Sequence, residues 1–160
     1  MKKILLVCTG NTCRSSMAEA ILKQLINDRK EVFGDIEISS AGTYAMEGGK
    51  ASPQAIVVME EWGLSLEEHR STPITKKLVE EADLILTMTM NHKRALLYML
   101  PDAEEKVFTL KEFTEEEIPI DMRASLDISD PFGQPVEVYR NCAEEIKECL
   151  LKLLVKLKKN

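Results

Sequence analysis

Basic residues are in deficit in this chain of 160 residues: 21 Lys+Arg stand against 27 Asp+Glu, a net charge of -6. Nucleic acids are usually met by a basic face, so this balance argues against DNA or RNA as a partner. Long apolar runs are lacking as well. The greasiest stretches are broken by Lys or Glu well short of the ~18 residues that a membrane span needs, so no membrane partner is expected. Met1-Lys2-Lys3 opens like a secretory signal, but the apolar run Ile4 to Val7 stops at four residues and no small-residue cleavage site follows. The expected compartment is therefore the cytoplasm. Cysteines are few, at 8, 13, 142 and 149, and too unevenly placed for a disulfide scaffold, which leaves reduced thiols. They also lack the close-paired spacing of zinc ligands, and neither a metal nor a cofactor is expected. No internal repeat, low-complexity linker or composition break divides the chain, so residues 1–160 read as one domain, large enough for a core without staples.

What is present alternates between strand and helix. Lys3 to Val7 is a short buried strand, followed by a small, polar loop and then by Ala18, Ile21, Leu22 and Leu25 at helical spacing, with Ser15 or Ser16 as cap. Ile36 and Ile38 open a second strand that ends in a turn-rich loop. A helix is expected from Pro53 to Trp62, closed by Gly63, and another from about Thr75 to Glu81. Asp83 to Met88 reads as a buried strand, Asn91 caps a helix to about Met99, and Val107 to Leu110 is a fourth strand candidate. Glu115-Glu116-Glu117 reads as solvated surface. After Pro135 a long helix carries the apolar stripe Tyr139, Cys142, Ile146, Cys149, Leu150, Leu153 and Leu157, with lysines that suit its C-terminal dipole. Such alternation implies an α/β fold with parallel strands and helices on both faces, and a ligand beyond the carboxyl ends of the strands.

The loop after the first strand is thus the place to look for chemistry. Five residues separate Cys8 from Arg14, and a helix follows at once. Successive N–H groups in a tight loop at a helix N-terminus form a nest for a tetrahedral oxyanion, and Arg14 adds a planar cationic fork. The same field favours the thiolate of Cys8, which can attack phosphorus in line and form a phosphocysteine that water later removes. Ser15 can donate a hydrogen bond to that thiolate as it departs. Thr9, Gly10, Asn11, Thr12 and Cys13 complete the loop; Gly10 is expected to supply unusual backbone geometry and Asn11 a positive φ. The leaving group needs a proton, and Asp130, held before Pro131, is the candidate acid, with Phe132 as a pocket wall. Asp127 is its competitor; Asp121 and Asp102 are weaker alternatives.

Val7-Cys8-Thr9-Gly10-Asn11-Thr12-Cys13-Arg14-Ser15 resembles the catalytic loop of the low-molecular-weight protein tyrosine phosphatases. Ser40-Ala41-Gly42-Thr43, His69, Ala82 to Leu86 with Met88, and Asp127-Ile128-Ser129-Asp130-Pro131 match further landmarks in order, so the likeness covers nearly the whole chain. The resemblance implies a central four-stranded parallel sheet, Cys8 as nucleophile, Arg14 as phosphate ligand and Asp130 as general acid, then base. It also implies no metal, and a network of Asn11, Ser40 and His69 that supports the loop. Two positions depart from the family: Ser16 stands where proline is usual, implying modest loss of rigidity, and Gly133 where many tyrosine-specific members carry a second aromatic, implying a less aromatic pocket.

The form Cys-Thr-Gly-Asn-Thr-Cys-Arg-Ser resembles the bacterial protein-arginine phosphatase branch. Thr12 can hydrogen-bond a guanidinium that a bulky aliphatic side chain would exclude, and Asp130 can pair with its charge. Phosphoarginine in phosphorylated proteins is the expected substrate, with phosphotyrosine as the alternative. A thiol-linked arsenate reductase is disfavoured, because Cys142 and Cys149 sit in a continuous helix rather than on a mobile relay. A binding module would have no need of Cys8 together with Asp130. Cys13 is either a packing residue or a redox partner for Cys8. His92 reads as a surface helix residue.

Overall fold

Residues 3 to 8 emerge as the central strand because they offer apolar side chains to both sides. In β1 (Lys3–Cys8), Ile4 to Cys8 are all buried. Strands β2 (Glu37–Gly42), β3 (Leu84–Thr87) and β4 (Val107–Thr109) complete a four-stranded parallel sheet of order β2-β1-β3-β4. The structure is a computed structural model that describes residues 1–115 and 126–158.

Side chains alternate across a strand, so Ile4, Leu6 and Cys8 face one layer and Leu5 and Val7 the other. The first layer contains α1 (Arg14–Asn27), the short α2 (Lys30–Phe33) at its edge, and α3 (Pro53–Glu61). The second contains α4 (Lys76–Glu81), α5 (Met90–Met99) and a 3-10 helix, Pro101–Lys106. After β4 come α6 (Leu110–Thr114) and the long α7 (Val136–Lys158), which returns to the first layer and buries Tyr139, Ile146, Leu150 and Leu153 beside Met17 and Leu22. Cys142 and Cys149 lie in this core as the stripe predicted. Burial pushes the Cys142 thiol up to about 12 and the Cys149 thiol upward too, which suits apolar packing groups. The α/β class, parallel pairing and helices on both faces agree with the sequence reading. Among the described residues no helix is long and apolar enough to cross a membrane.

From β1 the chain moves outward to β2 and then crosses back to β3. The connections diverge beyond the carboxyl ends of β1 and β3, and a crevice opens there. Several local expectations fail around that crevice. Helix α1 begins at Arg14 with Cys13 at its N-cap, so Ser15 and Ser16 lie inside the first turn and neither caps it; Ser16 Oγ instead donates to Cys13 O at 2.8 Å. Helix α5 is capped by Thr89 rather than Asn91, because Thr89 Oγ1 accepts from His92 N while His92 Nδ1 accepts from Thr89 N. Strand β4 stops before Leu110 because Thr109 caps α6 through Glu112 N. The pieces α2, α6 and the 3-10 helix are too short for periodicity to reveal. Glu115 accepts from Lys152 on α7; Glu116 and Glu117 lie outside the described residues.

Leu22 is fully buried between the sheet and α7. Truncation of Leu22 to Ala is expected to cost about 2–5 kcal/mol, read as a lower denaturation midpoint at unchanged slope.

Candidate active site

The loop between β1 and α1 is built around one residue. Asn11 is fully buried and is the one non-glycine residue with positive φ, 57°, among those described. Its side chain replaces the contacts that a left-handed residue forfeits. Asn11 Oδ1 accepts from Thr72 N at 2.9 Å, and Asn11 Nδ2 donates to Ser15 Oγ at 2.7 Å and to Ser40 Oγ at 2.9 Å. His69 Nε2 meets Asn11 O at 2.6 Å. Gly10 departs from expectation: it lacks a positive φ, and a Cβ there would meet only Thr12 Oγ1 at 3.6 Å. The indispensable glycine is Gly42, at the end of β2, where a Cβ would lie 2.3 Å from Thr9 O and 3.0 Å from Asn11 N. Next to it, Thr43 N donates to Cys8 O and Tyr44 N to Thr9 O, both at 2.9 Å, so β2 clamps the loop from behind.

These contacts fix the direction of the hydrogen bonds. Thr72 N–H can only donate, which orients the Asn11 amide so that its NH2 faces both serines. Ser40 Oγ then accepts from Asn11 and donates onward to Glu19 Oε1 at 2.5 Å, a carboxylate that Lys23 pairs at 2.6 Å. Ser15 Oγ likewise accepts from Asn11 and lies 2.9 Å from Cys8 Sγ, to which it donates when Cys8 is a thiolate. Asn11 N, 3.3 Å from the sulfur, adds a second donor. Cys8 is thus buried at the floor of the loop beneath two inward donors.

Arg14 is nearly fully buried in the crevice. Its Nη1 is tied to Ile128 O at 2.8 Å, its Nη2 lies 3.4 Å from Thr9 Oγ1, and its Nε has no hydrogen-bond partner among the described residues. An unpaired buried donor costs about 1–3 kcal/mol, which an oxyanion spanning Nε and Nη2 would recover. The loop N–H groups around it lead into a helix N-terminus, where the first amides have no intrahelical acceptor. Asp130 Oδ2 stands 3.7 Å from Arg14 Nη2, and Asp130 Oδ1 accepts from Phe132 N at 3.1 Å. Asp127, by contrast, spends Oδ1 on Met90 N at 2.8 Å at the start of α5. Asp102 precedes β4 and so belongs to the opposite end of the sheet, and Asp121 lies outside the described residues. Asp130 and the exposed Phe132 close a pocket of about 220 Å³ with Cys8, Thr9, Gly10, Thr12, Cys13 and Arg14. Gly133 turns the chain with φ 77°, a left-handed conformation that favours glycine.

Two neighbours of the loop were not foreseen. His92 is buried rather than on the surface, and its Nε2 lies 2.8 Å from Thr9 Oγ1. Burial, and then the charge of Arg14, lower its pKa to about 4, so it is neutral. The Thr89 and His92 pair three residues apart is a capping signature that could have located it. Behind the loop, Cys13 Sγ lies 3.3 Å from the hydroxyl of the buried Tyr139 and donates to Ser52 Oγ at 3.5 Å. Burial and Cys13 push Tyr139 up to about 12. Nothing in an apolar stripe marks a tyrosine as a loop support. His69 and Ser40 stand where they were expected, against Asn11. Among the described residues no cluster of His, Cys, Asp and Glu could hold a metal.

A Gly42→Ala substitution forces the new Cβ into the Thr9 carbonyl and is expected to abolish oxyanion binding. The measurement is calorimetric titration with orthovanadate; wild-type affinity in Gly42→Ala would refute the close-approach assignment.

The arrangement is shared with known proteins. The family described as low molecular weight phosphotyrosine protein phosphatase matches residues 3–160. The chain is 40% identical over 157 residues to a protein-arginine-phosphatase of Bacillus subtilis, covering 98% of this chain and 97% of that one. The YwlE arginine phosphatase of Geobacillus stearothermophilus superposes with a TM-score of 0.85 at 40% identity, over 99% of this chain and 94% of that one. A YwlE cysteine-to-serine mutant with a phosphorylated active site serine gives 0.88 at 38% identity, over 99% and 97% of the two chains. With the match running through both layers, the sheet and the loop alike, this chain belongs to the low molecular weight phosphotyrosine protein phosphatase family.

Proposed function

We propose that the protein is a cysteine-dependent phosphatase that removes phosphate from arginine residues of phosphorylated proteins in the cytoplasm. The observation that carries this reading is the coincidence, in one pocket, of Cys8 beside Ser15 Oγ and Asn11 N and the unpaired Nε of Arg14. In the first step Cys8 Sγ attacks phosphorus in line, the P–N bond to the guanidinium breaks, and Asp130 gives its proton to the leaving nitrogen. Arg14 Nε and Nη2 and the loop N–H groups of residues 9–13 hold the three equatorial oxygens. In the second step Asp130 takes a proton from water, the resulting oxygen attacks phosphorus, and the S–P bond breaks. Ser15 stabilises the departing thiolate. Inorganic phosphate leaves and no cofactor is consumed.

Support for arginine over tyrosine comes from Thr12 and Asp130, a hydroxyl and a carboxylate on the wall of one pocket, together with the arginine phosphatases among the relatives. Both groups suit a planar cation. The exposed Phe132 is the feature that favours the tyrosine alternative, since it offers a ring to an aromatic leaving group. Arsenate reduction has no support, because Cys142 and Cys149 are buried in the continuous α7.

On matched peptides, kcat/KM for phosphoarginine is expected to exceed that for phosphotyrosine. Thr12→Ile is expected to shrink the ratio by ~10-fold or more, and Cys8→Ser to abolish turnover. A phosphotyrosine preference, or a ratio indifferent to Thr12, would leave the tyrosine reading in place.

Cys13 is assigned a redox role on the same reading. Peroxide oxidises the Cys8 thiolate to a sulfenic acid; the Cys13 thiol attacks that sulfur, forming a disulfide and releasing water. Dithiothreitol is expected to restore activity after peroxide, with a Cys8–Cys13 disulfide visible by mass spectrometry beforehand. Activity that survives peroxide, or inactivation without that disulfide, would remove the assignment.

A further inference from the structure

His92 and Thr9 form a pair that the proposed chemistry does not use. They come from different connections, the loop after β1 and the helix after β3, and so bridge the crevice. Thr89 N–H can only donate, and it points at His92 Nδ1 from 3.2 Å, which leaves Nδ1 unprotonated. The proton of the neutral imidazole is therefore on Nε2, and Nε2–H donates to Thr9 Oγ1. Arg14 Nη2 donates to the same oxygen from 3.4 Å. A hydroxyl has two lone pairs and one proton. With both lone pairs taken, the Thr9 proton is left for a further acceptor, and Thr9 is one of the residues that line the pocket of Cys8, Arg14 and Asp130.

We infer that His92 is a positioning residue that holds the Thr9 hydroxyl as a donor to the phosphoryl oxygen next to the one gripped by Arg14 Nη2. The inference rests on the phosphatase reading of the site. Without His92 the Thr9 hydroxyl is free to rotate, and as the oxygens gain charge in the transition state a donor already aimed at them costs no reorganisation. The relation is directional: a group at position 92 that accepts from Thr9 turns the hydroxyl proton away from the substrate.

The two nitrogens of His92 can be tested apart, because both glutamine and glutamate satisfy Thr89 N–H at the third position of a helix. Glutamine also offers Thr9 a donor; glutamate offers it only an acceptor. With a small aryl phosphate as substrate, His92→Gln is expected to keep kcat within about threefold of wild type, and His92→Glu to lower it about 10- to 100-fold with little change in KM. In a Thr9→Val background the same His92→Glu change is expected to alter kcat less than about threefold. Thr9→Val alone is expected to lose about 10- to 100-fold and Thr9→Ser to recover most of it, a comparison that stands even if His92→Glu fails to fold. Equal losses in His92→Gln and His92→Glu, a glutamate effect that persists in Thr9→Val, or a Thr9→Val kcat within threefold of wild type would each overturn the inference. Turnover by Cys8→Ser would instead overturn the phosphatase reading beneath it.

Discussion

The site depends on one buried amide. Asn11 takes a left-handed backbone conformation that costs a residue with a Cβ, and the cost is offset because its side chain reaches three separate segments: Thr72, Ser40 of β2, and Ser15 of α1. The turn at Asn11 aims its own N–H at the Cys8 sulfur, and the side-chain amide ties that turn to its neighbours. The loop is therefore stiff before any ligand arrives, which is the condition under which dipoles stabilise developing charge most effectively. Because Thr72 N–H has only one polarity, that single backbone group dictates that the Asn11 amide donates to Ser15 and Ser40, the first of which lies against the Cys8 sulfur.

Much of this was legible in the sequence, for reasons that differ by residue. Cys8, Arg14 and their five-residue spacing are local, and a strand running into a small polar loop and a helix is readable wherever it occurs. Ser40 and His69 were placed by family likeness, since no local pattern ties position 69 to position 11. Asp130 was preferred to Asp127 on its neighbours, and the physical ground appears only in three dimensions, where Asp127 is engaged at the start of α5. The spacing of Thr89 and His92 marks a cap, but nothing local shows that this face of α5 is buried against Thr9. Tyr139 was read as core, correctly, while its hydroxyl on Cys13 depends on how α7 packs against the loop. The Gly10 error has the same origin: composition shows a glycine in a tight loop, but only coordinates show that the close approach belongs to Gly42.

The two layers of helix contribute unequally. The α1, α3 and α7 side carries most of the buried apolar mass and supports the loop through Cys13, Ser52 and Tyr139. The thinner α4 and α5 side supplies the polar contact of His92 at the crevice. A site placed where the connections diverge can draw on both, so a packing surface and a hydrogen-bonding surface meet at one oxyanion pocket.

Arg14 Nη1 donates to Ile128 O, and Ile128 N in turn donates to Met88 O at the end of β3. The guanidinium is consequently a structural rivet between the anion pocket and the segment that carries Asp130. Occupancy and folding are then thermodynamically linked: an oxyanion that binds the unpaired Nε of Arg14 in this pocket binds only the folded chain, and at concentrations well above its dissociation constant stabilises it in proportion to the logarithm of their ratio. The reaction's own product, inorganic phosphate, belongs to that class of ligand. A phosphate held there would both compete with substrate and protect the protein against unfolding, two effects governed by a single dissociation constant.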